Sequence, residues 1–225
     1  MNLVSVIGSY HGLKGSTARL LDWVIQGAES LGAKNENIVL KGDSVLPCMG
    51  CDHCHRKGGC VQKDAFESIK QKINVADGLI LASPNYIFSV SAQLKAFMDR
   101  CCGVIHCLGF EGKYGASVVT SGGGDEPPIA DYMNHFLITT GIVPVGAVWA
   151  TMGNISGNEF PSDIKEKAIA LGRKLVTDWQ SGEKSSEIAK AMTDFHNRME
   201  SLMRYREEEW PYEYEYWVEH RRLNG

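Results

Sequence analysis

Leu3-Val4-Ser5-Val6-Ile7-Gly8-Ser9-Tyr10-His11-Gly12-Leu13-Lys14-Gly15-Ser16-Thr17 is the stretch that decides the fold. Leu3 to Ile7 is short, apolar and β-branched, as a strand buried on both faces is. It breaks at Gly8-Ser9 and runs through a glycine-containing loop to Ser16-Thr17, where a helix begins. Leu20, Leu21, Val24, Ile25, Ala28 and Leu31 then share one helical face, and Gly32 closes the helix. A helix N-terminus carrying two hydroxyls offers free N–H groups and a favourable dipole, so its natural ligand is an anion, here a phosphate. The loop does not spell Gly-x-Gly-x-x-Gly and does not end in Gly-Lys-Ser/Thr, which weakens both dinucleotide and Walker readings.

The same unit repeats downstream. Strands are predicted over Asn37–Leu40, Gly78–Ser83, Tyr114–Thr120 and Val143–Ala150. Between them, Asp64 caps a helix with Phe66, Ile69, Ile73 and Val75 inward, and Ser91 opens one through Leu94, Phe97 and Met98. Pro127-Pro128 starts a helix ended by Gly141, and Pro161 opens the last helix of the core. Five rounds of strand and helix predict an α/β fold: a five-stranded parallel sheet with helices on both faces. Ligands of such sheets gather at the carboxyl ends of the strands. The loops richest in Gly, Ser and aromatics follow strands one, three and four, so they can form one site.

Between strands two and three lies Cys48-Met-Gly-Cys51-Asp-His-Cys54-His-Arg-Lys-Gly-Gly-Cys60. Thiols this close strain disulfide geometry but suit a shared metal centre. Three readings of Cys48, Cys51, Cys54 and Cys60 stand open: a [4Fe–4S] cluster, a zinc site with His53 or His55 as substitute ligands, or a metal-free loop. Cys101, Cys102 and Cys107 read as small structural hydrophobes.

The 225 residues, 44% apolar, can bury a large core, and a net charge of −4 with pI near 6.0 gives no case for nucleic acid. No run suits a membrane span, and the start reads as a strand, not a leader. Seven cysteines in that context predict a reducing, cytoplasmic location. No Ser/His/Asp or paired-carboxylate arrangement argues for hydrolysis, and His135 and His196 read as surface or interface residues on helices. Residues 1–182 are read as the core and 183–225 as an extension for oligomerisation or for covering an active site. In the extension Ile188, Met192, Phe195, Met199 and Leu202 form a coiled-coil-like seam that wants a partner. The aromatic and acidic tail Trp210–Trp217 follows, and Arg221-Arg222 reads as a solvated end.

Over about residues 3 to 180 the chain resembles the flavodoxin-like NAD(P)H-dependent FMN reductases, and within them the iron–sulfur flavoproteins. The resemblance rests on Gly8-Ser9 through Gly15-Ser16-Thr17, Cys48 to Cys60 followed by Asp64, and Ala76-Asp77-Gly78. It includes Ser83-Pro84-Asn85-Tyr86 with Ser89-Val90-Ser91-Ala92-Gln93-Leu94-Lys95, and Thr120-Ser121-Gly122-Gly123. It implies FMN. Ser9, Gly15, Ser16, Thr17 and the loop amides would hold the phosphate, with His11 or Lys14 as cationic partner. Relatives usually carry Pro-Arg after Gly-Ser, where this chain has Tyr10-His11. Pro84, Asn85, Tyr86, Ile87 and Phe88 would lie along the isoalloxazine, and Ser121, Gly122 and Gly123 would approach its other side. The resemblance implies an enzyme, a flavin-dependent oxidoreductase passing electrons between a [4Fe–4S] cluster, NAD(P)H or both and a small-molecule acceptor. Ferredoxin is a possible donor, and a homodimer or homotetramer the expected assembly. A cluster-free NAD(P)H:FMN or quinone reductase and a non-catalytic redox or metal sensor are the alternatives.

Overall fold

Ile7 lies in register with Val39 on one side and Ala82 on the other, Ala82 with Val118, and Val118 with Val148. That row crosses a five-stranded, all-parallel sheet of order β2-β1-β3-β4-β5. The computed structural model describes residues 1–155, 159–221 and 223. In chain order these hold β1 (Asn2–Ile7), α1 (Ser16–Glu29), β2 (Lys34–Val39), α2 (His53–Lys57), α3 (Phe66–Val75), β3 (Gly78–Pro84) and α4 (Ala92–Arg100). Then come α5 (Cys102–Cys107), β4 (Tyr114–Ser121), α6 (Glu126–Thr140), β5 (Val143–Thr151), α7 (Ser162–Ser181), α8 (Ser186–Tyr205) and α9 (Pro211–Arg221).

β3 and β4 are buried along their whole length, which is why they read as continuous apolar runs. Alternate residues feed two cores. Val4, Val6, Leu79, Leu81 and Val119 meet the helices of one face, including Phe66, Phe97 and Phe136. Leu3, Ile7, Ile80, Ala82 and Val118 meet α1 and α7 on the other. Each large side chain fully buried here contributes about 1.5–3 kcal/mol. α1 and α7 pack at backbone distance: a Cβ on Gly27 would sit 2.1 Å from Ile169 O, and one on Gly172 would sit 1.9 Å from Val24 O. Only glycine permits that approach, and it holds α1 against α7.

Several expectations change in detail. β2 starts at Lys34 and ends at Val39, so it covers an edge of polar residues that carries little strand signal. Leu31 lies beyond the end of α1 and is exposed, and Val75 in the last turn of α3 is exposed as well. Two short helices, α2 inside the cysteine loop and α5 before β4, had no periodic signal because each is about one to two turns long.

The extension packs on its own chain. Met199 and Met203 of α8 are buried with Trp217 and Leu223, while Ile188 and Met192 reach the core beneath α1 and α7. The aromatic and acidic tail is helical, and α9 touches α2, α5 and α8. Tyr212 lies so close to Gly58 that a Cβ there would meet its ring at 2.5 Å. Arg221 is not a solvated end. It donates to Cys107 O and Leu108 O at 3.1 and 2.9 Å and pairs with Glu111, because the packing of α9 on α5 brings its last residue there. Arg222 lies outside the described residues.

Candidate functional site

The loops after β1, β3 and β4 meet at the carboxyl edge of the sheet. Thr17 and Thr120 share a buried hydroxyl contact of 2.7 Å, and Asn85 N–H donates to Thr120 O at 2.7 Å. Asn85 Nδ2 reaches on to Gly124 O at 3.0 Å, while Asn85 Oδ1 is buried without a protein partner. Ser9 and Thr17 are buried, Ser16 is half-buried, and a Cβ on Gly15 would meet Ser9 Oγ at 3.2 Å. No side chain caps α1, so its first-turn N–H groups are left for another partner. By contrast Ser91 and Ser185 cap α4 and α8. His11 and Lys14 are exposed on a 3₁₀ turn next to Gly15.

The segment Pro84–Ser89 is held at its root. Ser83 Oγ donates to Pro84 O and accepts from Ser91 N–H, and Tyr86 N–H closes a turn on Ser89 O. Ile87 and Phe88 at its tip have φ of +49° and +59° and are 90% and 76% exposed. A left-handed β-branched residue costs about 1–3 kcal/mol, the kind of strain that collects at binding sites. Across the edge, Gly122 and Gly123 face open space. Their loop is braced by Glu126, a buried carboxylate that accepts from Ser121 Oγ and from Thr151 Oγ1, the latter at 2.6 Å. Burial alone would raise the Glu126 pKa, but these two hydroxyls hold it below the usual value.

The four cysteines of the loop line one cavity of about 720 Å³, together with residues of α3, α5 and α9. Cys48 and Cys51 are exposed, Cys54 and Cys60 half-buried. Gly50 N–H approaches Cys48 Sγ at 3.4 Å, Cys60 N–H donates to Glu67 Oε1 at 2.7 Å, and Arg56 donates to Cys51 O at 3.0 Å. The ends of the loop are clasped by Asp64. It accepts from Leu46 N–H and Phe66 N–H and takes both Nη atoms of Arg100 at 2.8 and 3.2 Å, while Arg100 also reaches Leu46 O. No three of the four sulfurs come within reach of a single ion among the described residues. Four thiolates on one cavity are a donor set that either an iron–sulfur cluster or zinc accepts. No residue of the loops after β1, β3 or β4 lines this cavity. Its lining includes Phe110, Glu111 and Lys113, ahead of β4, so the cavity extends away from the carboxyl edge where those loops meet.

One group of residues had no signal in the sequence. Glu213 of α9 is fully buried, and His55 Nδ1 and His106 Nδ1 donate to its two oxygens at 2.6 and 2.9 Å. Cys102 Sγ lies 3.8 Å from His106 Nε2, and Trp210 lies across both imidazoles at centroid distances of 4.7 and 4.8 Å. Hydrogen bonds from His106 and His55 pull the Cys102 thiol down to about 6. Burial would lower both histidines, but Cys102 and Glu213, joined at His55 by Cys54, raise them. Cys101 and Cys107 are buried as expected and pushed up by desolvation, whereas Cys102 is not the passive hydrophobe expected of it. The i, i+4 pair Cys102/His106 was the available clue. Its partners lie 47 and 107 residues away from them, at His55 and Glu213, beyond any local pattern.

The family described as NADPH-dependent FMN reductase matches residues 1–156. An iron-sulfur flavoprotein of Archaeoglobus fulgidus is 33% identical over 226 residues, 97% of this chain and 98% of its own. Another, of Methanocaldococcus jannaschii, is 33% identical over 195 residues, 84% of this chain and 98% of its own. Among solved structures, the flavodoxin, WrbA-like protein from Agrobacterium tumefaciens shares the fold. Its TM-score is 0.56 at 19% identity, over 81% of this chain and 99% of that one.

Proposed function

The chain belongs to the NADPH-dependent FMN reductase family, among the iron–sulfur flavoproteins, and from that premise we propose how this FMN-dependent redox protein works. Electrons pass between a [4Fe–4S] cluster on Cys48, Cys51, Cys54 and Cys60, NAD(P)H or both, and a small-molecule acceptor. The observation that carries the reading is the union of three carboxyl-edge loops through Thr17, Thr120 and Asn85 around the uncapped start of α1.

Ser9, Ser16, Thr17 and the first-turn amides of α1 hold the phosphate, with His11 or Lys14 supplying positive charge from the surface. Pro84 to Phe88 form one wall of the ring site, with the turn at Ile87-Phe88 keeping backbone groups fixed toward the ring. Gly122 and Gly123 let backbone approach from the other side. FMN, when bound, supplies the capacity to take up a hydride or single electrons. The protein supplies orientation and charge neutralisation. Because the cavity of the cysteine loop extends away from that carboxyl edge, the cluster serves the flavin of a neighbouring subunit in a homodimer or homotetramer. The exposed Tyr10, Leu13, Ile87 and Phe88 along that edge support such an assembly. Ferredoxin or NAD(P)H is the donor.

Anaerobic purification followed by flavin, iron and sulfide assay tests the reading. Bound FMN with about four irons per chain is expected, and Cys51→Ala should remove the iron while leaving the flavin. Flavin without iron would leave a cluster-free NAD(P)H:FMN or quinone reductase. Iron unchanged in Cys51→Ala would overturn the ligand assignment.

A further inference from the structure

Behind the cysteine loop, three side chains from two helices converge. His55 of α2 and Cys102 and His106 of α5 each offer one ligand atom, and the three atoms lie within 4.8 Å of one another. It is the one such group of three or more among the described residues. We infer that His55, Cys102 and His106 form a metal site distinct from the four thiolates of Cys48, Cys51, Cys54 and Cys60, built for a borderline divalent cation of the zinc class and oriented by Glu213.

The donor set chooses the metal. Two imidazoles and one thiolate suit zinc and its neighbours, and exclude the all-oxygen shells of magnesium and calcium. The spacing is already close to what such an ion needs. Tetrahedral zinc with ordinary bond lengths places its sulfur and nitrogen about 3.6 Å apart, and Cys102 Sγ stands 3.8 Å from His106 Nε2. The four-cysteine loop has no comparable trio.

The outer shell is present too. Metal-bound histidines donate their second ring N–H to a carboxylate or carbonyl, which fixes tautomer and ring angle. Here one fully buried carboxylate does so for both rings: Glu213 accepts from His55 Nδ1 and His106 Nδ1, which turns each Nε2 away from it, His106 Nε2 to 3.8 Å from Cys102 Sγ and His55 Nε2 to 3.9 Å from Asp52 Oδ1. Burying a carboxylate is costly unless it is paired, so Glu213 in helix α9 calls for cationic or metal-bound partners. Trp210 stacks on both imidazoles, and Cys102 and His55 line the cavity of about 720 Å³. The fourth coordination position therefore faces the cavity, open to water or a small ligand, as in zinc sites with three protein ligands. A metal here would also fasten the C-terminal helix to the core through Glu213. The inference does not rest on FMN binding or on the identity of the cluster.

The test is a metal inventory on the full chain, purified anaerobically, loaded with Zn²⁺ and desalted. Wild type should retain about one zinc per chain. Cys102→Ser and His106→Ala should each lose that zinc and keep wild-type iron and flavin, while Cys51→Ser should lose iron and keep zinc. Glu213→Gln, which preserves shape, should bind zinc about 10–100-fold more weakly in competition with a chromophoric chelator. If the ligand variants fail to fold, Co²⁺ added to the Cys48→Ser/Cys51→Ser/Cys60→Ser protein should give visible d–d bands and a thiolate-to-cobalt charge-transfer band. No zinc retained by wild type, zinc retained by Cys102→Ser, or no cobalt bands overturns the inference. So does loss of iron in Cys102→Ser, which would place Cys102 among the cluster ligands.

Discussion

Removing Asp64 should open the base of the cysteine loop. The side chains of Asp64 and Arg100 are both buried, and their two-pronged contact is joined by Leu46 N–H, Phe66 N–H and Leu46 O. Arg100 also lies over the Phe66 ring at 4.7 Å. Asp64→Leu would strand a buried guanidinium and two backbone donors at once, and breaking a buried pair this way costs about 3–5 kcal/mol. Against a typical total of about 5–15 kcal/mol that is a large share of stability. Arg100→Met leaves Asp64 with its two backbone donors, so it should fall at the lower end of that range. The double variant removes both charges and should cost less than the sum of the singles by about 1–3 kcal/mol. Urea unfolding of the four proteins measures the cycle. The pH dependence has a definite sign. Burial alone would raise the Asp64 pKa, but Arg100 and the Leu46 and Phe66 N–H groups lower it. Its contribution is therefore fully present above the ordinary aspartate value, about 3.9, and is lost as pH falls through the depressed folded value. Wild type should lose stability more steeply in acid than Asp64→Leu. Single variants within about 1 kcal/mol of wild type, or strict additivity, would refute the reasoning.

Glu126→Gln should cost about 1–3 kcal/mol by weakening the acceptor for Ser121 and Thr151. It should also flatten the acid limb of the stability curve, since a depressed Glu126 stabilises above about pH 4.3 and less below it. Thermal melts across pH 3 to 7 would check both effects, with about that range set by the carboxylate values. Gly172→Ala should lower stability by about 1–3 kcal/mol or more, because its Cβ would overlap Val24 O in α1. FMN affinity should fall with it, since α1 carries the phosphate site; an unchanged flavin affinity would show that α1 tolerates the shift.

The sheet was legible because β1, β3 and β4 are buried on both faces and so are apolar throughout. The carboxyl-edge loops were legible because strand order places them together whatever their side chains do. β2 was misjudged at its ends because it is a polar edge strand, and Leu31 and Val75 because apolar residues at helix ends follow the period without being covered. The Glu213 cluster was illegible for another reason. Its acid belongs to an aromatic and acidic helix whose placement depends on tertiary contacts such as Trp217 Nε1–H donating to His106 O at 2.8 Å. Arg221, read as solvated, is held by the same docking.

The central claim is that the start of α1 grips a phosphate while the loops after β3 and β4 hold the ring. Fluorescence titration of flavin-stripped protein with FMN and with riboflavin tests it most directly, because the two ligands differ only in the phosphate. Charge-assisted hydrogen bonds from Ser9, Ser16, Thr17 and the first-turn amides, at about 1.5–3 kcal/mol each, predict that FMN binds at least about tenfold more tightly. Equal affinities would contradict the account.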